Sequence, residues 1–259
     1  NDPITQYWFA KAAEYAGFPP GAVNILCGLG KEAGAALSSH PDVNQIVFTG
    51  SVATGSAIAS AAAKNIVPCT LELGGKSAAI VYDDADIDNL IDSIRWGIFY
   101  NAGQVCSAMS RVIVPQKLHD EISERAGELA KSLSVGPGSE RTKFGLNMGS
   151  MISELQRDRA INLCQKAQTE GATTVTGGHK LNRPGWFLEP TIFSNVKPDM
   201  EIAQVEVFGP VLSIIPYETD EQAISIANGT EYGLVSGVFT KDLDRAMSSA
   251  KKMRAGQVF

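Results

Sequence analysis

The chain has 259 residues, of which 44% are hydrophobic and 19% charged, and a net charge of −6. That composition supports a globular chain with a sizeable core, one large domain or two modest ones, and excludes a disordered polymer. The negative balance excludes a general grip on nucleic acid or on an acidic membrane surface, and apolar runs such as Val211 to Pro216 fall short of the about 18 residues that a membrane-spanning helix needs.

The first predicted element is an amphipathic helix from Pro3 to Gly17, closed by its glycine. Val23 to Leu26 reads as a short strand. Gly28-Leu29-Gly30 and Gly34 follow it, one residue out of step with the G-x-G-x-x-G fingerprint, so phosphate contact and a plain turn are both open there. Gln45 to Thr49 is the next predicted strand. Gly50-Ser51-Val52-Ala53-Thr54-Gly55 comes after it, then a small-residue helix from Ser56 to about Asn65. A strand, a Gly-rich turn and a helix present free N–H groups to an anion. The spacing resembles a Walker A loop, but Ser56-Ala57 stands where Lys and Ser/Thr belong. This disfavours ATP and leaves a dinucleotide pyrophosphate or a tight turn.

Thr70 to Leu73 is a third short strand, ending at Gly74-Gly75 and carrying Glu72 near its carboxyl end, where ligands sit in α/β units. Ser77 to Tyr82 is a strand. Asp83, Asp84 and Asp86 supply cap and first-turn charge to a helix from Ile87 to Tyr100. The stretch Asn101-Ala102-Gly103-Gln104-Val105-Cys106-Ser107 then precedes a strand at Arg111 to Val114. Lys117 to Leu133 is an amphipathic helix with His119 expected on its surface. A Gly/Pro-rich connection spans 135–150, and a helix runs from Ile152 to Glu170 with Cys164 in its apolar stripe.

Beyond a turn region from Gly177 to Gly185, strands are predicted at Phe187 to Phe193, Val211 to Ile215 and Leu234 to Thr240. Helices are predicted at Glu221 to Asn228 and Leu243 to Lys252. The alternation gives an α/β class. The chain opens without an initiator Met, and Gln257-Val258-Phe259 reads as the start of a strand after Gly256. Both ends are therefore expected to lie inside a longer protein.

Four cysteines stand at 27, 69, 106 and 164, with no C-x-x-C pair and no Cys/His cluster. No metal site is expected, and a chain of this length with a normal core needs no disulfide framework. The thiols are expected reduced and the protein cytoplasmic. Cys106 sits between a helix and an apolar strand, the junction that turns a side chain toward a cleft. A nucleophilic thiol is commonly activated by His, but His40, His119 and His179 lie in no motif-like setting. Glu72 is the alternative general base. With a dinucleotide turn beside them, one reaction class uses all three parts: thiolate attack on an aldehyde, oxidation of the adduct by nicotinamide, and hydrolysis of the resulting thioester.

Five segments carry a resemblance: Phe48 to Gly55 (FTGSVATG), Leu71 to Ser77 (LELGGKS), Asn101 to Ser107 (NAGQVCS), Glu189 to Phe193 (EPTIF) and Glu206 to Val211 (EVFGPV). In that order they resemble the aldehyde dehydrogenase superfamily. The resemblance implies an α/β fold of two Rossmann-like open-sheet domains, here cut at both ends. Residues 1–74 would be the second part of the cofactor domain and 75–259 most of the catalytic domain. It implies that Cys106 is the nucleophile, with its backbone N–H as half of an oxyanion hole, and that Glu72 is the general base. It further implies NAD or NADP as cofactor, with Gly50, Ser51 and Gly55 facing its phosphates, Leu73 making a backbone contact near the nicotinamide, and Glu206 and Phe208 holding the nicotinamide ribose. Val205 departs from the pattern, since many members carry a second acid there. The implied partners are a small aldehyde and further copies of the chain, in a homodimer or homotetramer. A coenzyme-A-acylating relative and a non-catalytic structural relative are the alternatives; Glu72 speaks for hydrolysis, and retention of Cys106, Glu72 and Glu206 speaks for catalysis.

Overall fold

The computed structural model describes residues 4–140 and 148–259. Asn1-Asp2-Pro3 and residues 141–147 of the Gly/Pro-rich connection lie outside the described residues. The chain divides into two compact units, Asn1–Leu73 and Gly74–Phe259.

In the first unit, α1 is Ile4–Tyr15, and a π-helical turn at Gly30–Gly34 runs into α2, Ala35–Ser38. β1 (Ile46–Thr49) and β2 (Cys69–Glu72) pair in parallel, with Thr49 opposite Glu72, and α3 (Val52–Ala63) connects them. The short crossover is the minimal βαβ unit. Two expectations are corrected here. Residues Val23 to Leu26 form no strand; among the described residues of this unit the ladder is made by β1 and β2 with each other. The helix expected from Ser56 begins at Val52 instead, because Ser51 caps it: the Ser51 Oγ accepts the Thr54 N–H at 3.3 Å.

The second unit contains, in chain order, β3 (Ala78–Val81), α4 (Ile87–Ile98), β4 (Arg111–Pro115), α5 (His119–Ser132), α6 (Glu154–Thr169), β5 (Thr173–Thr176), β6 (Thr191–Ser194), α7 (Glu201–Gln204), β7 (Val211–Tyr217), α8 (Asp220–Asn228), β8 (Val235–Phe239), α9 (Leu243–Lys252) and β9 (Gln257–Val258). Among the described residues seven strands form one sheet in the order β5-β6-β7-β4-β3-β8-β9. All neighbours are parallel except β5 with β6. β3, β4 and β6 are buried at every position, as strands of a sheet covered on both faces must be. Ile80, Ile113, Ile214, Ile215 and Phe193 are fully buried at its centre. Helix α5 packs on β5, β6 and β7, and α8 on β3, β4 and β7.

His119 is a further correction. It is 2% exposed rather than on the surface, with Nδ1 2.9 Å from an Asp120 carboxylate oxygen and Nε2 accepting the Asn195 N–H at 3.2 Å. Its partner lies 76 residues away, beyond the reach of a helical count. Among the described residues no helix is long and apolar enough to cross a membrane.

Candidate active site

In the second unit, Cys106 is placed by what ends α4. Asp86 caps this helix by accepting the Asn89 N–H at 3.1 Å, and Leu90, Ile94 and Ile98 bury its apolar stripe. After Phe99 the backbone turns left-handed at three successive residues, Asn101 (φ 51°), Ala102 (φ 54°) and Gly103 (φ 69°). Each non-glycine residue in that region costs about 1–2 kcal/mol, so the surroundings must enforce it. Asn101 Nδ2 donates to the Gln104 carbonyl and Gln104 Nε2 to the Asn101 carbonyl, both at 3.1 Å. Gln104 Oε1 also accepts the Ile152 N–H at 2.8 Å. A Cβ on Gly103 would collide with the Gly209 carbonyl. The chain then reaches Cys106, half-buried, and enters β4 at Arg111.

The loop Glu206–Pro210 lies against that turn. Phe208 has φ 53°. Gln156 Nε2 of α6 donates to the carbonyls of Val207 and Phe208, each at 3.0 Å, and Arg159 Nη2 to the Glu206 carbonyl at 3.1 Å. Glu206 Oε1 accepts the Gly75 N–H at 3.2 Å. A side chain at Gly74 would strike the Glu206 carboxylate, and one at Gly75 would strike the Cys106 carbonyl. The two glycines thus form a thin bridge with Glu206 on one side and the Cys106 backbone on the other. Burial raises the Glu206 carboxyl above its ordinary value, against the Gly75 N–H and the charges of Arg159 and Lys76, which lower it. A cavity of about 10 Å³ lies between the two loops, lined among others by Gly103, Val105, Ala108, Ser110 and Glu206.

In the first unit, the Gly50 N–H donates to the Glu72 carbonyl at 3.0 Å, joining the turn after β1 to the end of β2. The Glu72 side chain belongs to an exposed residue. Gly55, in the first turn of α3, is buried under Leu73, whose Cδ2 would lie 2.6 Å from any Cβ placed there. The 12-residue helix α3 has no acidic residue in its first turn. The end of α3 that Gly50 and Ser51 open has its Thr54 N–H capped by Ser51, and its positive dipole end, with no acidic side chain against it, fits an anionic pyrophosphate.

The residues singled out by sequence thus form two groups. Cys106, Glu206 and Phe208 come together in the second unit. Gly50, Ser51, Gly55, Leu73 and Glu72 come together in the first. Sequence reasoning passed over Gln104, Gln156, Arg159, Lys76 and Arg111 as structural partners. Gln104 and Lys76 stand inside quoted motifs as polar residues among small and apolar ones, which was a usable signal. The other three sit on regular elements and carry none. A half-buried thiol on a turn held rigid by hydrogen bonds suits covalent attack on an electrophilic carbon.

The sequence model of the aldehyde dehydrogenase family matches residues 1–259. The chain is 43% identical over 258 residues to aldehyde dehydrogenase 1A1 of Mesocricetus auratus, covering 99% of this chain and 51% of that protein. It is 43% identical over the same length to an aldehyde dehydrogenase of Emericella nidulans, again covering 99% and 51%. Among solved structures, an NAD+ complex of an aldehyde dehydrogenase from Bacillus cereus superposes with a TM-score of 0.95 at 40% identity, over 99% of this chain and 52% of that one. A betaine aldehyde dehydrogenase from Staphylococcus aureus, in complex with NAD+, superposes with a TM-score of 0.94 at 37% identity, over 99% and 52%. The chain spans about half the length of the relatives it matches.

Proposed function

This chain belongs to the aldehyde dehydrogenase family, and from that premise we propose that the protein oxidises an aldehyde to a carboxylic acid with NAD or NADP, using Cys106 as nucleophile and Glu72 as general base. Gly50, Ser51 and Gly55 would hold the pyrophosphate, Leu73 would contact the nicotinamide through its backbone, and Glu206 and Phe208 would hold the nicotinamide ribose. A cytoplasmic homodimer or homotetramer is the proposed setting.

The Cys106 thiolate adds to the aldehyde carbon, forming a C–S bond and an oxyanion that the Cys106 backbone N–H stabilises. NAD or NADP, when bound, would supply the acceptor for the hydride that the adduct must lose to reach the thioester level on Cys106. Glu72 takes a proton from a water as that water attacks the thioester carbon. The C–S bond breaks, the acid leaves and Cys106 is again a thiolate. Sulfur suits both halves because it attacks readily and leaves readily.

The observation that best supports this reading is the Gly74–Gly75 bridge, where the proposed ribose holder and the backbone of the proposed nucleophile flank the same two residues. The NAD+ complexes of the Bacillus cereus and Staphylococcus aureus relatives support the cofactor class. The test is NADH or NADPH formation by the intact protein over a panel of aldehydes, beside its Cys106→Ser variant. The parent should turn over at least one aldehyde, and the variant should lose about 10⁴-fold or more in kcat. Appreciable turnover by the variant would overturn the assignment.

A further inference from the structure

Arg111 opens β4 shortly after Cys106 and is 2% exposed. Its Nε donates to the Lys76 carbonyl at 2.9 Å, and Nη1 and Nη2 donate to the carbonyls of Ile226 and Ala227, each at 2.8 Å. Its backbone N–H donates to the Ser77 carbonyl at 3.1 Å. Arg111 therefore holds two successive carbonyls, those of Lys76 and Ser77, directly beyond the Gly74–Gly75 bridge. Two adjacent glycines leave the backbone unusual freedom, so the carbonyls held next to them fix where the bridge runs. Ile226 and Ala227 lie in the last turn of α8, whose carbonyls lack partners within the helix. The helix dipole favours a cation there. Burial lowers the Arg111 guanidinium to about 10, so it keeps its proton near neutrality. The acceptors of its side chain are carbonyls and none is a carboxylate, so hydrogen-bond direction sets its place.

The same turn of α8 holds the other side of the bridge. Gln204 ends α7, two residues before Glu206. Its Nε2 donates to the carbonyl of Gly229, the residue that caps α8, at 2.9 Å, and to the Pro198 carbonyl at 2.6 Å. Glu206 Oε1 in turn accepts the Gly75 N–H at 3.2 Å. Donor and acceptor of that bond are 131 residues apart. Both are tied to neighbouring carbonyls at one helix end, those of Ile226, Ala227 and Gly229.

We propose that the C-terminal turn of α8 is the common anchor of the Gly75–Glu206 contact, with Arg111 the positioning residue for Gly75 and Gln204 the positioning residue for Glu206. The inference rests on the reading that Glu206 holds the cofactor ribose, and it adds two residues that act on the site through others. If Arg111 and Gln204 served only the stability of the sheet and of α7, their loss would loosen the molecule evenly and leave Gly75 no worse off than the core.

The experiment compares the intact protein with Arg111→Lys, which replaces the planar fork by a single ammonium, and with Gln204→Met, which keeps the length of a half-buried side chain and removes both donors. The first readout needs no cofactor. Hydrogen exchange, read by NMR, follows the Gly75 amide, with the Phe193 amide of the buried strand β6 as the measure of the fold at large. Gly75 should exchange about tenfold faster or more in both variants, with Phe193 within about twofold of the parent. The second readout is the dissociation constant for NAD+. It should rise about tenfold in each variant, and by less than about twofold when the same substitution is made in Glu206→Gln, because the effect passes through that carboxylate. Unmoved Gly75 exchange in Gln204→Met overturns the anchor, whether or not Arg111→Lys folds. Equal acceleration at Gly75 and Phe193 gives the two residues a merely structural role and overturns it too. Full losses of affinity in the Glu206→Gln background overturn the route through Glu206. An affinity for NAD+ that is the same in Glu206→Gln as in the parent overturns the ribose assignment instead, while exchange at Gly75 still decides the anchor.

Discussion

Glu72 closes β2 with its carbonyl bonded to the Gly50 N–H and its side chain exposed, a place from which a carboxylate meets water. In the proposed reaction it acts after oxidation, and this separates it from Cys106 in time. Glu72→Gln keeps size and shape but cannot take a proton. The variant should therefore give a normal first burst of NADH, followed by steady turnover slower by about 10²–10⁴-fold. Stopped-flow absorbance resolves the two phases, and a missing burst in a folded variant would remove Glu72 from the deacylation step. His119 shows the limits of reading single residues. A histidine at the start of an amphipathic helix looks like surface. Here the ring is buried because the Asn195 N–H, from the segment after β6, needs an acceptor at Nε2.

Among the elements, the turn at Asn101–Gly103 is the most constrained. Three left-handed residues in a row, two of them with a Cβ, are held by the Asn101–Gln104 pair and by Gln104 with Ile152. Gly103 has both a positive φ and no room for a methyl group against Gly209. Gly103→Ala should cost about 1–3 kcal/mol of stability and lower activity further by moving the Cys106 loop. Urea unfolding followed by circular dichroism measures the first effect, and unchanged stability would show that the Gly209 contact yields freely. The motif was visible in sequence as NAGQVCS, but its handedness was not, because Asn and Ala are common in right-handed turns as well. The strand β5 was missed for a related reason. Its Thr-Thr-Val-Thr sequence has no buried alternation, since it is an edge strand, partly exposed at every position and antiparallel to β6.

At the scale of the whole molecule, each unit is held by contacts between distant segments. In the second unit, Arg245 of α9 donates to Asp83 after β3 and to Asp220 of α8, and lies 4.0 Å over the Tyr82 ring, while Lys117 reaches Asp83 at 3.0 Å. Hydrogen bonds from Arg245, then from Lys117, hold Asp83 at about 2 against an ordinary 3.8. Its folded value is the lower one, so its stabilisation is complete above the ordinary value and is lost as pH falls toward about 2. The stability difference between the parent and Asp83→Asn, under about 1 kcal/mol for so exposed a carboxylate, should shrink to nothing across that window in acid urea titrations. A constant difference would show that the ion pairs do not contribute. The sequence alone determined what depends on local pattern: the α/β alternation, most helix and strand positions, and the motifs by which the chain resembles its family. These are written in the spacing of neighbouring residues, where side-chain periodicity and turn chemistry act. Only the tertiary structure decided that Glu206 meets the Gly75 N–H across 131 residues, that the Lys76 amine is buried with no hydrogen-bond partner among the described residues, and that two glycines are flanked by a carboxylate and a peptide carbonyl. Such relations arise when distant segments compete for one volume, and no local spacing encodes which atoms will fill it.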